Sequence, residues 1–297
     1  MNNKKPLVIY HDNCVDGFSA AWCFWHALPN AFEFHPGVYN QAPPDVFGRR
    51  VFLLDFSYKR SVVEEMLFSA ESVTFLDHHK SAVEDLEGME WSHSNFINKS
   101  DLNRSGAMIA WDFICDNMLW ERPAPLLLQY IQYRDLGHMW RTREELKEMG
   151  IAYIPQVEEV TANLFSYEMT FDNWESLMAM NEADIIDFAN GGEVLLRKFK
   201  KDLKLFIKQM ARKTVIGGYT VPVANLPGTF ASDAGNMMAQ GNHFAATYYD
   251  TERHRVFSLR SADGLIDVSE VAQRYGGGGH PRAAGFKVPR DHYLATF

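Results

Sequence analysis

The chain has 297 residues, of which 46% are hydrophobic and 23% are charged, and its formal net charge is -9. This length and composition are typical of a globular protein with one large domain or two ordinary ones. The acidic balance argues against tight binding to long duplex DNA, because such binding depends on many phosphate contacts from basic side chains. A small phosphate ligand remains compatible with this charge if metal ions supply positive charge locally.

The start of the chain and its cysteines bear on its cellular compartment. No apolar run is long enough to span a bilayer, and the segment that follows Lys4 and Lys5 is too short for the core of a signal peptide. We therefore predict a cytoplasmic protein without a membrane partner. Cys14, Cys23 and Cys115 are odd in number and lack paired spacing, which argues against a disulfide framework and a cysteine-rich zinc site.

The first part of the chain alternates between strand-like and helix-like segments. The predicted strands are apolar almost throughout and cover residues 7–10, 32–35, 51–56 and 73–76. The predicted helices between them cover residues 17–28 and 58–69. Apolar strands that alternate with helices indicate a parallel sheet covered on both faces.

Helices predominate after the fourth predicted strand. We predict helices at 105–118, with Ser105 as the N-cap, and at 125–133. The basic segment 195–213 is either a connecting helix with a solvated basic face or a surface that attracts phosphate.

Strands return near the end of the chain. They are predicted at 217–227, 243–250 and 255–261, with short helices at 231–240 and 269–275. The resulting fold class is α/β, with a first domain built on a parallel sheet with flanking helices, a helical connector, and a smaller α/β domain with a mixed sheet. The predicted ranges of these three parts are 1–190, 191–213 and 214–297.

Carboxylates and imidazoles follow three of the four strands predicted in the first part. They are His11 and Asp16 after the first strand, Asp55 after the apolar residues 51–54 of the third, and Asp77, His78 and His79 after the fourth. Ligands of an open parallel sheet bind beyond the carboxyl ends of its strands. Asp55 alone would be interpreted as the N-cap of the next helix, and a lone histidine as an ordinary core or surface group. Three strands that share the pattern instead favour cations between the carboxylates, as in two-metal phosphoryl hydrolases that use manganese or magnesium.

Four consecutive glycines near the end of the chain, 276–279, precede His280 and Arg282. Glycines allow the backbone to approach an anion and to direct N–H groups at it, and the two side chains add donors that suit phosphate. A flexible linker is the alternative, but it fits poorly because a helix-like and a strand-like segment flank the run.

The motifs HDNCVDG, LLDFSY, LDHH, YRDLG and GGGGHPRAAGF together resemble those of the DHH phosphoesterase superfamily, of the kind that carries a DHHA1 C-terminal domain. The resemblance extends from residue 7 to about residue 288, and only the middle helices, roughly 140–190, lack a motif. It implies a DHH domain that binds paired divalent metals, usually manganese, a DHHA1 domain that holds the substrate, and an active site in the cleft.

The resemblance also implies roles for individual residues, carried over by motif. The metal ligands would be His11 and Asp55 at one ion, and Asp16, Asp55, His78 and Asp135 at the other, with Asp55 bridging. The catalytic residues would be Asp55, His78 and His79, of which His79 contacts the phosphate. Asp77 would orient an imidazole. The substrate would be bound by His79, Gly277, Gly278, Gly279, His280, Arg282 and Arg260.

Cys14 departs from the superfamily pattern, because many members have an aspartate ligand at this place, two residues before Asp16. The sequence leaves four interpretations open. Cys14 ligates as a thiolate, Asp12 takes its place, the ion is held weakly, or Cys14 is a buried inert residue.

The predicted function is that of a metal-dependent phosphodiesterase or exonuclease acting on short oligonucleotides or dinucleotides, with Mn²⁺ as the expected ion and Mg²⁺ or Co²⁺ as alternatives. The modest length and acidic balance favour a small phosphate substrate over long DNA. The alternative functions are a phosphoanhydride hydrolase that splits pyrophosphate or polyphosphate and a non-catalytic sensor that binds a nucleotide. A homodimer is left open.

Overall fold

The computed structural model describes residues 4–39, 41–262 and 266–296. The chain divides into two compact units, Met1–Leu196 and Arg197–Phe297. Both units combine helices with a sheet, which confirms the predicted α/β fold class. None of the helices in the described residues combines the length and the apolar character that crossing a bilayer requires.

A five-stranded parallel sheet lies at the centre of the first unit. Its strands are β1 (Leu7–His11), β2 (Glu33–Gly37), β3 (Arg50–Leu54), β4 (Ser72–Leu76) and β5 (Phe96–Asn98). They are arranged in the order β2-β1-β3-β4-β5, with Leu7 of β1 opposite both Glu33 and Val51. In this order the chain changes direction across the sheet between β1 and β3, which opens a crevice at their carboxyl ends.

Ten helices begin within the described residues of the first unit. They are α1 (Val15–Ala27), α2 (Arg60–Ser69), α3 (Lys80–Leu86), α4 (Met89–Ser92), α5 (Gly106–Met118), α6 (Leu126–Asp135), α7 (Arg143–Glu148), α8 (Val157–Leu164), α9 (Phe171–Met178) and α10 (Glu182–Met210). A short 3₁₀ helix covers His138–Trp140. Helix α10 begins in the first unit and ends in the second.

The helices cover both faces of the parallel sheet. One core contains Val8 of β1 with apolar side chains of α1, α5, α6, α8 and α9, including the fully buried Trp174. The other core contains Ile9, the next residue of β1, with apolar side chains of α2, α3 and α4. Consecutive strand residues therefore serve opposite cores, which explains why the strands are apolar throughout.

A six-stranded mixed sheet lies at the centre of the second unit. Its strands are β6 (Arg212–Ile216), β7 (Tyr219–Asn225), β8 (Ala245–Asp250), β9 (His254–Arg260), β10 (Gly278–His280) and β11 (Ala283–Pro289). The order is β10-β11-β9-β8-β7-β6, and among the described pairs β7 and β8 are parallel while the others are antiparallel. The helices α11 (Ala231–Ala239) and α12 (Val268–Gln273) and two 3₁₀ helices, Gly228–Phe230 and Tyr293–Ala295, complete it.

Two strands of the second unit differ from the sequence-based expectations. The basic segment 195–213 was predicted to be helical throughout, but α10 ends at Met210 and β6 begins at Arg212. β10 lies within the glycine run, where strand-forming side chains are absent and pairing with β11 decides the conformation. The ranges 1–190, 191–213 and 214–297 remain predictions for the functional domains.

Candidate active site

The carboxyl ends of β1, β3 and β4 bring the predicted metal-binding residues together. His11 is the last residue of β1, and Asp55 comes directly after β3. Asp77 and His78 follow β4 in the same way, and both are buried. Helix α1 adds Asp16 from its first turn, and helix α6 adds Asp135 at its end.

Asp55 occupies the centre of this arrangement and is only 1% exposed. Its Oδ1 lies 3.2 Å from Nε2 of His78, and its Oδ2 lies 3.5 Å from Nδ1 of His11. Burial alone would raise the pKa of Asp55, but the adjacent imidazoles of His11 and His78 outweigh burial and hold this pKa well below its usual value. The two carboxylate oxygens thus face different imidazoles, and the carboxylate is ionised at neutral pH.

His78 lies among three carboxylates. Its Nε2 is 3.2 Å from Asp135 Oδ2 and 3.9 Å from Asp16 Oδ2, in addition to its contact with Asp55. Burial would lower the pKa of His78, but the three negative charges outweigh burial and raise this pKa to about 10. The carboxylates around His78 thus favour a positive charge at this point of the site.

The start of helix α5 packs against the site and holds Asp16. The backbone N–H of Ala107 lies 3.2 Å and 3.3 Å from the two carboxylate oxygens of Asp16. A Cβ atom at Gly106 would lie 2.5 Å from Cβ of Asp55, so the close approach of this helix requires glycine. Ser105, the predicted N-cap, accepts from the N–H of Met108 through its hydroxyl.

Asp77 holds the histidine pair that follows β4. Its Oδ1 accepts from the backbone N–H of His78 at 2.7 Å and from that of His79 at 3.2 Å. The same oxygen lies 2.7 Å from Nδ1 of His79. One buried carboxylate therefore fixes both the turn after the strand and the ring of His79.

Two groups of potential ligands meet at Asp55. The cysteine group consists of His11, Cys14 and Asp55, and the carboxylate group consists of Asp16, His78 and Asp135. Within each group, one ligand atom of every residue lies within 4.8 Å of the others. Asp55, Asp77, His78 and His79 form a further group by the same criterion.

The chemistry of these groups fits a pair of divalent cations. Burial and the charges of Asp135 and Asp55 raise the pKa of Asp16 well above its usual value, as expected for carboxylates crowded without a cation. Three buried atoms, His11 Nδ1, Asp55 Oδ2 and Asp77 Oδ2, have no hydrogen-bond partner within the described residues. Buried polar atoms normally have a hydrogen-bond partner. A metal cation, which accepts lone pairs from oxygen and nitrogen, would therefore suit these atoms.

Comparisons with known proteins find relatives that match most of this chain. The chain is 26% identical to uncharacterized protein R106 of Acanthamoeba polyphaga mimivirus over 95% of this chain and 67% of that protein. It is 23% identical to oligoribonuclease NrnB of Bacillus subtilis (strain 168) over 78% of this chain and 56% of that protein. The chain thus spans about two thirds of one relative and just over half of the other. A search against protein-family models gives no match.

A solved structure has a similar fold. The DHH domain of a protein assigned to a family of ribosomal proteins matches 96% of this chain and 83% of its own chain, with a TM-score of 0.56 and 11% identity. The chain therefore shares the fold of a solved DHH domain. Its LDHH segment, Leu76 to His79, lies at the end of β4 with both histidines in the ligand groups described above.

Two residues near the site, Asp12 and Tyr39, differ from the sequence-based expectations. The carboxylate of Asp12 accepts from Nδ2 of Asn13 at 2.7 Å, and Asp12 belongs to none of the ligand groups found among the described residues. Tyr39 was not predicted, yet its ring lies edge-on to His11 with centroids 5.2 Å apart. Tyr39 follows β2, so applying the strand-end rule to all four predicted strands would have found it.

The second unit contains the predicted glycine run, and the backbone of this run is closely packed. A Cβ atom at Gly277 would lie 2.0 Å from the carbonyl oxygen of Gly285, and one at Gly279 would lie 2.6 Å from that of Ala283. Gly279 also has φ of 137°. The hairpin of β10 and β11 therefore requires these glycines whether or not they bind an anion.

The predicted substrate-binding arginines make contacts within the second unit. Arg260 donates to the hydroxyl of Ser232 at 2.8 Å, and Arg282 donates to the carbonyl oxygen of Ala262 at 2.9 Å. His280 is the last residue of β10 and is partly buried. The substrate-binding roles of these side chains and of the glycine run remain predictions.

Proposed function

We propose that the protein is a divalent-metal-dependent phosphodiesterase that hydrolyses short oligonucleotides or dinucleotides. The observation that carries this proposal is the position of Asp55. Its Oδ2 faces His11 in the cysteine group, and its Oδ1 faces His78 in the carboxylate group. A carboxylate shared between two ligand groups is the arrangement used by two-metal phosphoryl hydrolases.

Different residues of the site would bind each of the two cations. His11 and Asp55 would hold one cation, and Asp16, His78 and Asp135 would hold the other together with Asp55. Bound there, two divalent cations activate water and offset the negative charge on the phosphoryl oxygens. Mn²⁺ is the ion that we propose for the site.

His79 is the proposed contact to the substrate phosphate in the first unit. Its ring is fixed through Nδ1 by the buried carboxylate of Asp77. Burial would lower the pKa of His79, but the nearby Asp77 outweighs burial and raises it. An oriented imidazole with a raised pKa is suited to donate a hydrogen bond to a phosphate oxygen. Asp77 thus acts as a positioning residue.

The preference for short nucleic acid rests on the net charge and on the relatives. A net charge of -9 disfavours a long polyanion, and one relative is named an oligoribonuclease. We propose that His280, Arg282, Arg260 and the glycines 277–279 bind the substrate. An Arg282→Ala variant should raise KM more than it lowers kcat if this is so.

The test is hydrolysis of 5′-labelled RNA of two to five nucleotides, with and without Mn²⁺, by wild type and by Asp55→Asn. We expect metal-dependent release of mononucleotides by the wild type. Asp55→Asn should retain less than roughly a tenth of the wild-type rate, because the amide cannot bridge two cations as a carboxylate does. Its fold should persist, since asparagine tolerates the left-handed backbone that Asp55 adopts.

Asp116→Asn is the matched control, because this aspartate is exposed on α5 and outside the ligand groups. It should hydrolyse RNA at the wild-type rate. An Asp55→Asn variant with more than a tenth of the wild-type rate would contradict the bridging role. Polyphosphate and pyrophosphate are assayed beside the RNA, and cleavage of these alone would replace the proposal with a phosphoanhydride hydrolase. Nucleotide binding without metal binding would identify a sensor.

A further inference from the structure

We propose that the two ligand groups select different metals, so that the centre is a mixed-metal site. The cysteine group offers a thiolate, an imidazole and a carboxylate, and it would hold a thiophilic ion such as Co²⁺, Zn²⁺ or Fe²⁺. The carboxylate group offers two carboxylates and one imidazole, and it would hold Mn²⁺ or Mg²⁺. This inference rests on the metal centre of the proposed function and specifies which ion each half takes.

The first observation is the location of Cys14 in the fold. It is the N-cap residue of α1, and its carbonyl oxygen accepts from the N–H of Phe18 at 2.9 Å, which fixes the backbone next to the end of β1. A ligand atom of Cys14 lies within 4.8 Å of ligand atoms of both His11 and Asp55. The thiol is therefore placed as a third ligand rather than at a distance from the site.

The second observation is independent of the cysteine. Asp55 Oδ2 belongs to a side chain that is 1% exposed, and it has no hydrogen-bond partner within the described chain. His11 Nδ1, 3.5 Å away, is likewise without a partner there. Buried oxygen and nitrogen atoms without partners are unfavourable, and a cation that binds both together with the sulfur would satisfy them.

Cys23 shows what an inert cysteine looks like in the same unit. It is 1% exposed, lies in the apolar core, and donates from Sγ to the carbonyl oxygens of Ser19 and Ala107. Cys14 instead lies beside a carboxylate and an imidazole. Asp12, the other substitute that the sequence allowed, is engaged with Asn13. The geometry thus favours the thiolate interpretation among the four that the sequence left open.

The choice of ion follows from ligand softness. Thiolate ligands favour softer ions, whereas carboxylates suit Mg²⁺ and Mn²⁺, and Mn²⁺ binds most weakly in the divalent series. Ligation by Cys14 releases the thiol proton to solvent, so the sulfur donates a full negative charge to the ion. An aspartate at the same position would make the two halves of the centre similar, which is why the cysteine matters.

The test is a titration of chelator-treated, reduced protein with Co²⁺ in the absence of substrate, followed by absorption. For wild type we expect a thiolate-to-cobalt charge-transfer band in the near ultraviolet that saturates at one ion per chain. Cys14→Ser should lack the band, because the serine hydroxyl does not supply a thiolate ligand. Cys115→Ser, which changes a cysteine outside the ligand groups, should keep the band.

A second measurement examines selectivity. After dialysis against Co²⁺ and a large excess of Mn²⁺, wild type should retain one Co²⁺ per chain at the cysteine group, whereas Cys14→Asp should lose this Co²⁺ to Mn²⁺. Cobalt binding without the charge-transfer band, or a band that persists in Cys14→Ser, would overturn the proposal. Both readouts are made without hydrolysis, so a wrong substrate assignment would leave them unchanged.

Discussion

Asp55 adopts a backbone conformation that residues other than glycine seldom adopt. Its φ is 52°, in the left-handed region, where a side-chain-bearing residue carries strain of about 1 kcal/mol or more. The backbone N–H of Asp55 donates to the carbonyl oxygen of Leu76, which ties the bend to the end of β4. The strained turn places the carboxylate between the two ligand groups, so the location of the strain coincides with the proposed chemistry.

Gly106→Ala tests how tightly α5 must approach Asp55. Replacing a helical glycine by alanine ordinarily stabilises a protein by about 0.5–1 kcal/mol. Here the new Cβ would lie 2.5 Å from Cβ of Asp55, so we expect a lower free energy of unfolding and weaker binding of metal. Urea unfolding of the metal-free protein and calorimetric titration with Mn²⁺ measure the two effects.

Gly228→Ala is the control, because its new Cβ would meet only Tyr249 at an ordinary 3.7 Å. It should change neither quantity appreciably. A Gly106→Ala protein that is stabilised and binds Mn²⁺ as wild type does would show that α5 can move away without consequence.

Sequence reasoning locates the titratable residues of the site better than their supports. Asp55 and His78 follow strongly apolar strands, so the position of each at the sheet edge is predictable. Gly106 is a support that carries no such signal in isolation. A glycine at a helix start is common, and only the tertiary distance to Asp55 shows that this one is required.

Helix α10 contains two adjacent glycines, which is unusual for a helix of 29 residues. Gly192 is buried, and a Cβ atom there would lie 1.9 Å from the carbonyl oxygen of Glu159 in α8. The glycine therefore permits close packing of two helices within the first unit. Glycine is unfavourable in the middle of a helix, and the close packing of α8 against α10 offsets this cost.

Gly192→Ala should consequently destabilise the protein by about 1–3 kcal/mol, because α8 and α10 must separate to accept the methyl group. Gly191→Ala is the matched control. It is exposed, and its new Cβ would meet only the flexible side-chain amide of Asn163 at 2.9 Å. Urea unfolding of both variants measures the difference. Equal stabilities would contradict the close packing inferred for Gly192.

The elements that could be predicted are those in which apolar residues recur at the spacing of a strand or a helix. Strands β1, β3 and β4 and helices α1, α2 and α5 lie within a few residues of their predicted bounds, because apolar runs and caps mark them. The three-residue strands β5 and β10 exist because a neighbouring strand offers backbone partners. Such pairing is a tertiary property that local sequence does not record.

Metal binding should raise the stability of the whole protein. Cations that bind the folded site and not the unfolded chain add about 2.7 kcal/mol when their free concentration is a hundredfold above Kd. We therefore expect a chelator to lower Tm and Mn²⁺ to restore it, as measured by differential scanning calorimetry. Asp55→Asn should show a much smaller response. An unchanged Tm after verified removal of metal would count against a structural contribution from the site.

The architecture could be predicted because alternating apolar strands and helices admit few arrangements, and a parallel sheet is the one that buries them on both faces. The strand order β2-β1-β3-β4-β5 could not, since nothing in the local sequence states which side of β1 receives β2. The order matters for function, because it brings His11 and Asp55 to the crevice between β1 and β3.

The same strand order leaves β2 and β5 at the edges of the parallel sheet, which bears on how copies of the chain could associate. β2 contains Pro36, which has no N–H to donate, and an exposed Glu33 that pairs with Arg49. β5 has only three residues. Short, proline-containing and charged edges discourage the addition of a further strand, and they protect a sheet from aggregation. If a homodimer forms, we therefore do not expect it to continue the parallel sheet of the first unit from one protomer into its partner.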